Sequence, residues 1–180
     1  MTSLVSLSLS IAVLGAIWAF LSLGPLSGFL LVWAGFIAWG CFFHTGGDSH
    51  AFAKTVVGTA YGAVIAWIAL QIIVHVPIPA LGTVWPAIVV GVTVFFLVIV
   101  ASAELLSAVP ANVYGYAAVV AYSLSATSTA PSTGPLYNLS SASFANPLVL
   151  LIVSMVVGAC FGYASGWLSK ALTKSSAATA

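Results

Sequence analysis

The sequence predicts an all-α polytopic membrane protein, a bundle of about six transmembrane helices with both termini cytoplasmic. Three observations carry that expectation. Of the 180 residues, 62 % are hydrophobic and 3 % are charged, whereas soluble domains carry about a quarter charged residues. Three lysines, two acids and no arginine leave too little charge to coat a water-facing surface. The apolar residues also fall in runs close to the ~20 residues that an α-helix needs to cross hydrocarbon, and mean hydropathy is +1.23. No stretch alternates apolar and polar residues as the strands of a membrane barrel do.

The first span is expected from Leu4 to Leu23, ended by Gly24-Pro25, a pair that cannot continue a helix. No Lys or Arg precedes Lys54, so this segment reads as a retained span and not as a cleaved leader, which opens with positive charge. The second span is expected from Leu26 to Phe43. The third runs from Thr55 to Val74 and stops before His75, Pro77 and Pro79. The fourth runs from Val84 to Ala103, with Pro86 tolerated in its first turn. The fifth opens at Val109-Pro110 and fades near Leu124, and the sixth runs from Pro147 to Leu168. Residues 1–174 read as one transmembrane domain and 175–180 as a short disordered tail.

With six spans, Lys54, Lys170 and Lys174 all fall on one side. Cytoplasmic loops carry the excess of Lys and Arg, which makes both termini cytoplasmic. The longest link, 125–146, is uncharged, rich in Ser, Thr and Pro, and lies on the outer side as a loose loop or a re-entrant cap. A net charge of +1 excludes a nucleic-acid surface, which needs clustered basic residues. Cys41 and Cys160 sit inside apolar runs and read as packing residues. A short likeness between Gly35–Asp48 and Gly91–Glu104, each an aromatic-rich helix ending in an acid, suggests an internal repeat.

Polar residues are so few that each needs a reason. The turn FFHTGGDSHAFAK gathers His44, Asp48, His50 and Lys54, with Glu104 on the same side. The local reading suffices for most of them. His44 meets the negative end of a helix, Gly46 and Gly47 end it, Asp48 or Ser49 caps the next one, and Lys54 anchors at the interface or pairs with an acid. A metal held by His44, Asp48, His50 and Glu104 is the sharper alternative, but its spacing matches no strong ligand motif. No metal, cofactor or catalytic residue is expected, so the chain is not read as an enzyme.

In the fifth span Asn112, Tyr116 and Ser123 fall on one helix face. Thr55, Thr59 and Gln71 on the third span and Thr93 on the fourth are candidates to face the same space. An uncharged lining of hydroxyls and amides suits a small neutral polar solute; the competing reading is inter-helix hydrogen bonding with no path. Gly58 and Gly62, and Gly158, Gly162 and Gly166 at four-residue spacing, mark close helix contacts within the chain or between copies. The expected function is a channel or facilitator, with a non-transporting scaffold as the alternative. The expected partners are the bilayer, a small solute and further copies of the chain.

Two segments resemble a known family. Phe36, Ile37, Trp39, Phe42 and Phe43 followed by Gly46-Gly47, and Pro110, Ala111, Gly115 and Ala117 opening a later span, are similar to the bacterial inner-membrane family named domain of unknown function (DUF) 1097. The likeness covers about Phe29 to Tyr122 and a Gly-rich last span. It implies a multi-pass protein of a bacterial inner membrane and carries no assigned activity or site residue.

Overall fold

The structure, a computed structural model, describes residues 2–125 and 134–178. The described residues form six α-helices joined by short 3-10 turns and loops, with no β-strand among them. They are α1 (Ser3–Leu23), α2 (Val32–His44), α3 (Ser49–His75), α4 (Val84–Ile99), α5 (Val109–Ser125) and α6 (Pro147–Ala178). Four of them are long and apolar enough to cross a membrane: α1, α3, α6, and α4 with the 3-10 turn Val100–Ser102 that extends it. The all-helical expectation therefore holds. Of the other two, α5 keeps its expected bounds and α2 is shorter than expected.

α2 has 13 residues where 18 apolar ones were expected from Leu26. Residues Leu26–Leu31 are apolar but turned: Gly28 takes φ +89°, and the amide of Leu31 donates across the bundle to Ser154 Oγ on α6, at 2.9 Å. Hydropathy selects the solvent of a segment, and backbone chemistry selects its shape. α3 instead starts six residues before Thr55, because Asp48 Oδ1 accepts from the Ala51 amide at 2.7 Å and caps it. α6 passes Leu168 and continues to Ala178. The expected tail from residue 175 is thus helical up to that point, as befits a run of Lys, Ala, Leu and Ser with no Gly or Pro to stop it.

Inside lipid no hydrophobic drive pulls helices together, so backbone approach and polar ties hold the bundle. α3 is the central post, packed along α5 and against α6, α4 and α2, and α6 in turn carries α2 and α1. At Gly62 an added Cβ would strike the carbonyl of Asn112, and at Gly115 the carbonyl of Thr59. Gly158 meets the backbone of Gly35, and Gly35 makes room for the indole of Trp18. That indole is fully buried and donates to the Val32 carbonyl at 2.9 Å. Trp39 is buried too, and its Nε1 donates to Ser165 Oγ at 3.0 Å. The glycine stripes therefore mark contacts within the chain, although a Cβ added at Gly166 would meet Phe42 only at ordinary distance, 3.7 Å.

The likeness between Gly35–Asp48 and Gly91–Glu104 has no counterpart in packing. α2 buries six residues against α6, whereas α4 buries the single stripe Val89, Thr93, Leu97 against α3 and α5.

Candidate functional site

The polar turn is built by its glycines. Gly46 and Gly47 take φ +125° and +68°, which side-chain-bearing residues rarely adopt, and they reverse the chain between α2 and α3. Thr45 Oγ1 donates back to the Cys41 carbonyl at 2.9 Å and lies 3.1 Å from Thr55 Oγ1. His44 turns toward the ring of Tyr114, with centroids 6.4 Å apart. His50 Nε2 reaches Glu104 Oε1 at 3.3 Å, with both side chains largely exposed; such a pair contributes at most about 1 kcal/mol. Lys54, expected to partner an acid, makes no ion pair among the described residues, because His50 lies on the first turn of α3 and reaches the 3-10 turn Glu104–Leu106 first. Among the described residues no three His, Cys, Asp or Glu side chains converge as a metal set.

These residues share one end of the bundle. A cavity of about 260 Å³ is lined by Asp48, Ser49, Tyr163, Trp167 and Lys170. A second, of about 440 Å³, joins Ser3, Phe43, Gly47 and Ser169 to Lys170. The start of α1, the α2–α3 turn, the end of α4 and the later part of α6 therefore lie together.

The amide of Ala51 holds the Asp48 carboxyl below its ordinary value of 3.8, with partial desolvation opposing and the nearby His50 assisting. A lowered acid pKa stabilises the fold above the unfolded value and loses that contribution as pH falls through the lowered one. Acidification below about pH 4 should therefore loosen the first turn of α3, read as faster exchange of the Ala51 amide, while Asp48→Asn keeps the cap and flattens the response.

The second polar region is a seam among α3, α4 and α5. Thr93 Oγ1 and Tyr116 Oη lie 3.0 Å apart, both buried. Asn112, with no exposed surface, donates from Nδ2 to the carbonyls of Leu97 at 3.3 Å and Leu106 at 3.1 Å. It thereby ties down the two carbonyls that the break after α4 leaves without helical partners. Tyr61 Oη donates to the Phe96 carbonyl at 2.8 Å. Replacing Asn112 by Ala should cost about 1–3 kcal/mol, read as a lower melting temperature with faster amide exchange across 100–108.

The structure unites Asn112, Thr93 and Tyr116 as the sequence suggested, but not all seven candidates. Thr55 turns toward α2, within 3.8 Å of Cys41 Sγ, and Thr59 donates to the Thr55 carbonyl at 2.7 Å. Gln71 lies under the link 134–146, where Leu139 is buried as a cap. The Leu139 carbonyl takes Trp67 Nε1 at 2.7 Å, Asn146 Nδ2 at 2.9 Å and Gln71 Nε2 at a slack 3.4 Å. Trp85 is a seam residue that the sequence reading did not single out. Its spacing of four before Val89, Thr93 and Leu97 was the available signal, and its ring packs on the core.

Among the described residues, four buried polar atoms of this seam and of the adjoining link have no protein partner: Asn112 Oδ1, Ser123 Oγ and Trp85 Nε1 in the seam and Gln71 Oε1 under the link. The α4–α5 register pairs 93 with 116 and 97 with 112, so Ser123 falls opposite Pro86, beside Trp85.

No curated protein and no solved structure matches the chain. A family model does, over residues 8–170, a stretch that includes the resemblance from Phe29 to Tyr122 and the Gly-rich last span. The chain belongs to the family described as Protein of unknown function (DUF1097).

Proposed function

We propose that the chain crosses a bacterial inner membrane six times, with both termini and the charged end in the cytoplasm, and that it lets a small neutral polar solute pass along the α3–α4–α5 seam. The observation that carries this reading is the set of four unpartnered polar atoms in the seam of the Thr93–Tyr116 pair and under the adjoining link. A buried polar atom without a partner costs about 1–3 kcal/mol, and most such atoms in native proteins are satisfied. Here a free amide oxygen lies near the charged end, a hydroxyl pair lies in the middle, and an indole N–H, a hydroxyl and an amide oxygen lie toward the other end. A molecule that both donates and accepts, such as urea, a small carboxamide or water, complements each in turn. No charged side chain takes part, which suits a neutral solute. The shared end of Ser3, Asp48, Glu104 and Lys170 supports the six-crossing topology. On this proposal the chain is not an enzyme and needs no cofactor, and its partners are the bilayer, the solute and further copies of itself.

The second reading, a non-transporting scaffold, is favoured by the backbone contacts at Gly62 and Gly115 and the tight side-chain contacts at Gly58, which close α3 onto α5. Proteoliposomes separate the two. The facilitator predicts osmotic swelling in urea or acetamide several-fold faster than in protein-free vesicles. Tyr116→Phe, which removes the hydroxyl facing Thr93 and keeps the ring, should alter that rate several-fold with the fold intact. Swelling equal to protein-free vesicles for every small neutral solute leaves the scaffold.

A further inference from the structure

The helix contacts repeat themselves. α3 lies along α5 as α6 lies along α2; α1 packs on α6 as α4 packs on α3; α1 sits beside α2 as α4 sits beside α5; and α2 touches α3 as α5 touches α6. Every major contact of α1–α3 returns when each helix is replaced by the one three places later.

The register can be fixed residue by residue. Gly62 abuts the backbone of Asn112 and Gly158 abuts that of Gly35. Equating the two contacts sets 158 − 62 = 96 for α3 onto α6 and 112 − 35 = 77 for α2 onto α5. Burial then tests the match. The six buried residues of α2 (34, 35, 38, 39, 41 and 42) map onto 111, 112, 115, 116, 118 and 119, all buried. Of the nine buried residues of α3, eight map onto buried residues of α6, and only Leu70, onto Gly166, does not. The two units run in opposite directions: α2 ends at the charged turn, whereas α5 starts beside the break that holds Glu104.

A rotation that turns one three-helix unit upside down onto the other has its axis in the membrane plane, at mid-depth. The axis must pass between the helices that exchange, hence between α2 and α5. A groove of about 640 Å³ opens there. Its lining includes three pairs of equivalent positions, Ile37 with Tyr114, Gly40 with Ala117 and Cys41 with Ala118. Trp33 and Phe36 form its rim and are 39 % and 41 % exposed. On α5 this face lies about 170° around the helix from Asn112 and Tyr116, so the groove is separate from the seam.

We infer that the chain is an inverted repeat of two three-helix units, and that the groove on its axis is a site for one acyl chain of a membrane lipid. At mid-depth the surrounding solvent is hydrocarbon. The groove opens sideways past Phe36 and Ile37, its lining is apolar, and no charged residue lines it. A water-soluble ligand would have to cross half the bilayer to enter, whereas an acyl chain is already at the opening.

The test uses Trp33 as reporter, taken as the emission difference between the wild type and Trp33→Phe. The protein is placed in vesicles of phosphatidylethanolamine and phosphatidylglycerol that contain increasing amounts of phosphatidylcholine with a nitroxide at the middle of one acyl chain. A bound chain predicts that Trp33 quenching saturates at a low quencher fraction, and that Gly40→Leu with Ala117→Leu reduces it at least three-fold. Gly40 has open space where its side chain would be, so filling it does not strain the bundle. Gly40→Ala supplies a one-methyl version with an intermediate loss should the double variant be unstable. Quenching proportional to the bulk quencher fraction and unchanged by filling overturns the site. So does full protection of Trp33, which would mean that a second copy of the chain covers the groove.

Discussion

Gly62→Leu is expected to abolish the folded bundle. The new side chain would have to occupy the place of the Asn112 carbonyl and the Tyr116 amide, so α3 and α5 must separate. Their contact is the most extensive among the described residues, and backbone atoms cannot rotate aside as a side chain can. Overpacking a core costs about 1–3 kcal/mol when side chains can adjust; this substitution should exceed that range. The purified variant should aggregate on size exclusion or melt at least ten degrees lower. Gly91→Leu is the control, since nothing lies within 4 Å of its added Cβ on the exposed face of α4. Equal behaviour of the two variants would mean that α3 and α5 do not touch as described.

Trp18→Ala is the second large effect. The indole is fully buried, fills the space that Gly35 leaves, packs tilted against Phe161 with ring centroids 5.4 Å apart and donates to the Val32 carbonyl. Truncating a buried tryptophan costs about 3–5 kcal/mol through lost packing and cavity formation. Trp18→Phe should recover part of the packing and none of the hydrogen bond. The change should appear first as faster exchange in α2, whose opening turn depends on that contact. Exchange unaltered in α2 but faster in α4 would contradict it.

Several features were legible in the sequence because their causes are local. Asp48 had a cap's chemistry and two glycines before it, and it caps. Asn112 and Tyr116 had helical spacing and share a face. The α2 boundary was not legible: Leu26–Leu31 are as apolar as a span, and what ends the helix is Gly28 together with Ser154, 123 positions from its partner Leu31. Thr55 was read with Thr93 because both are hydroxyl residues on neighbouring spans, yet Thr45 and Cys41, closer in the chain, take it. The two-unit symmetry was invisible as identity, since it pairs Gly35 with Asn112 and Trp39 with Tyr116. It conserves which faces are buried and where backbones meet, and these properties constrain residue size more than residue type.

The shortness of α2 reaches into the lipid around it. At 1.5 Å per residue its 13 residues span about 20 Å, while the 27 residues of α3 span about 40 Å. Hydrocarbon about 30 Å thick is therefore too thick on one flank of the molecule and too thin along its core. The bilayer should pinch beside α2 and swell beside α3, which gives the protein a preference for thin or curved regions of membrane and a lopsided collar of deformed lipid.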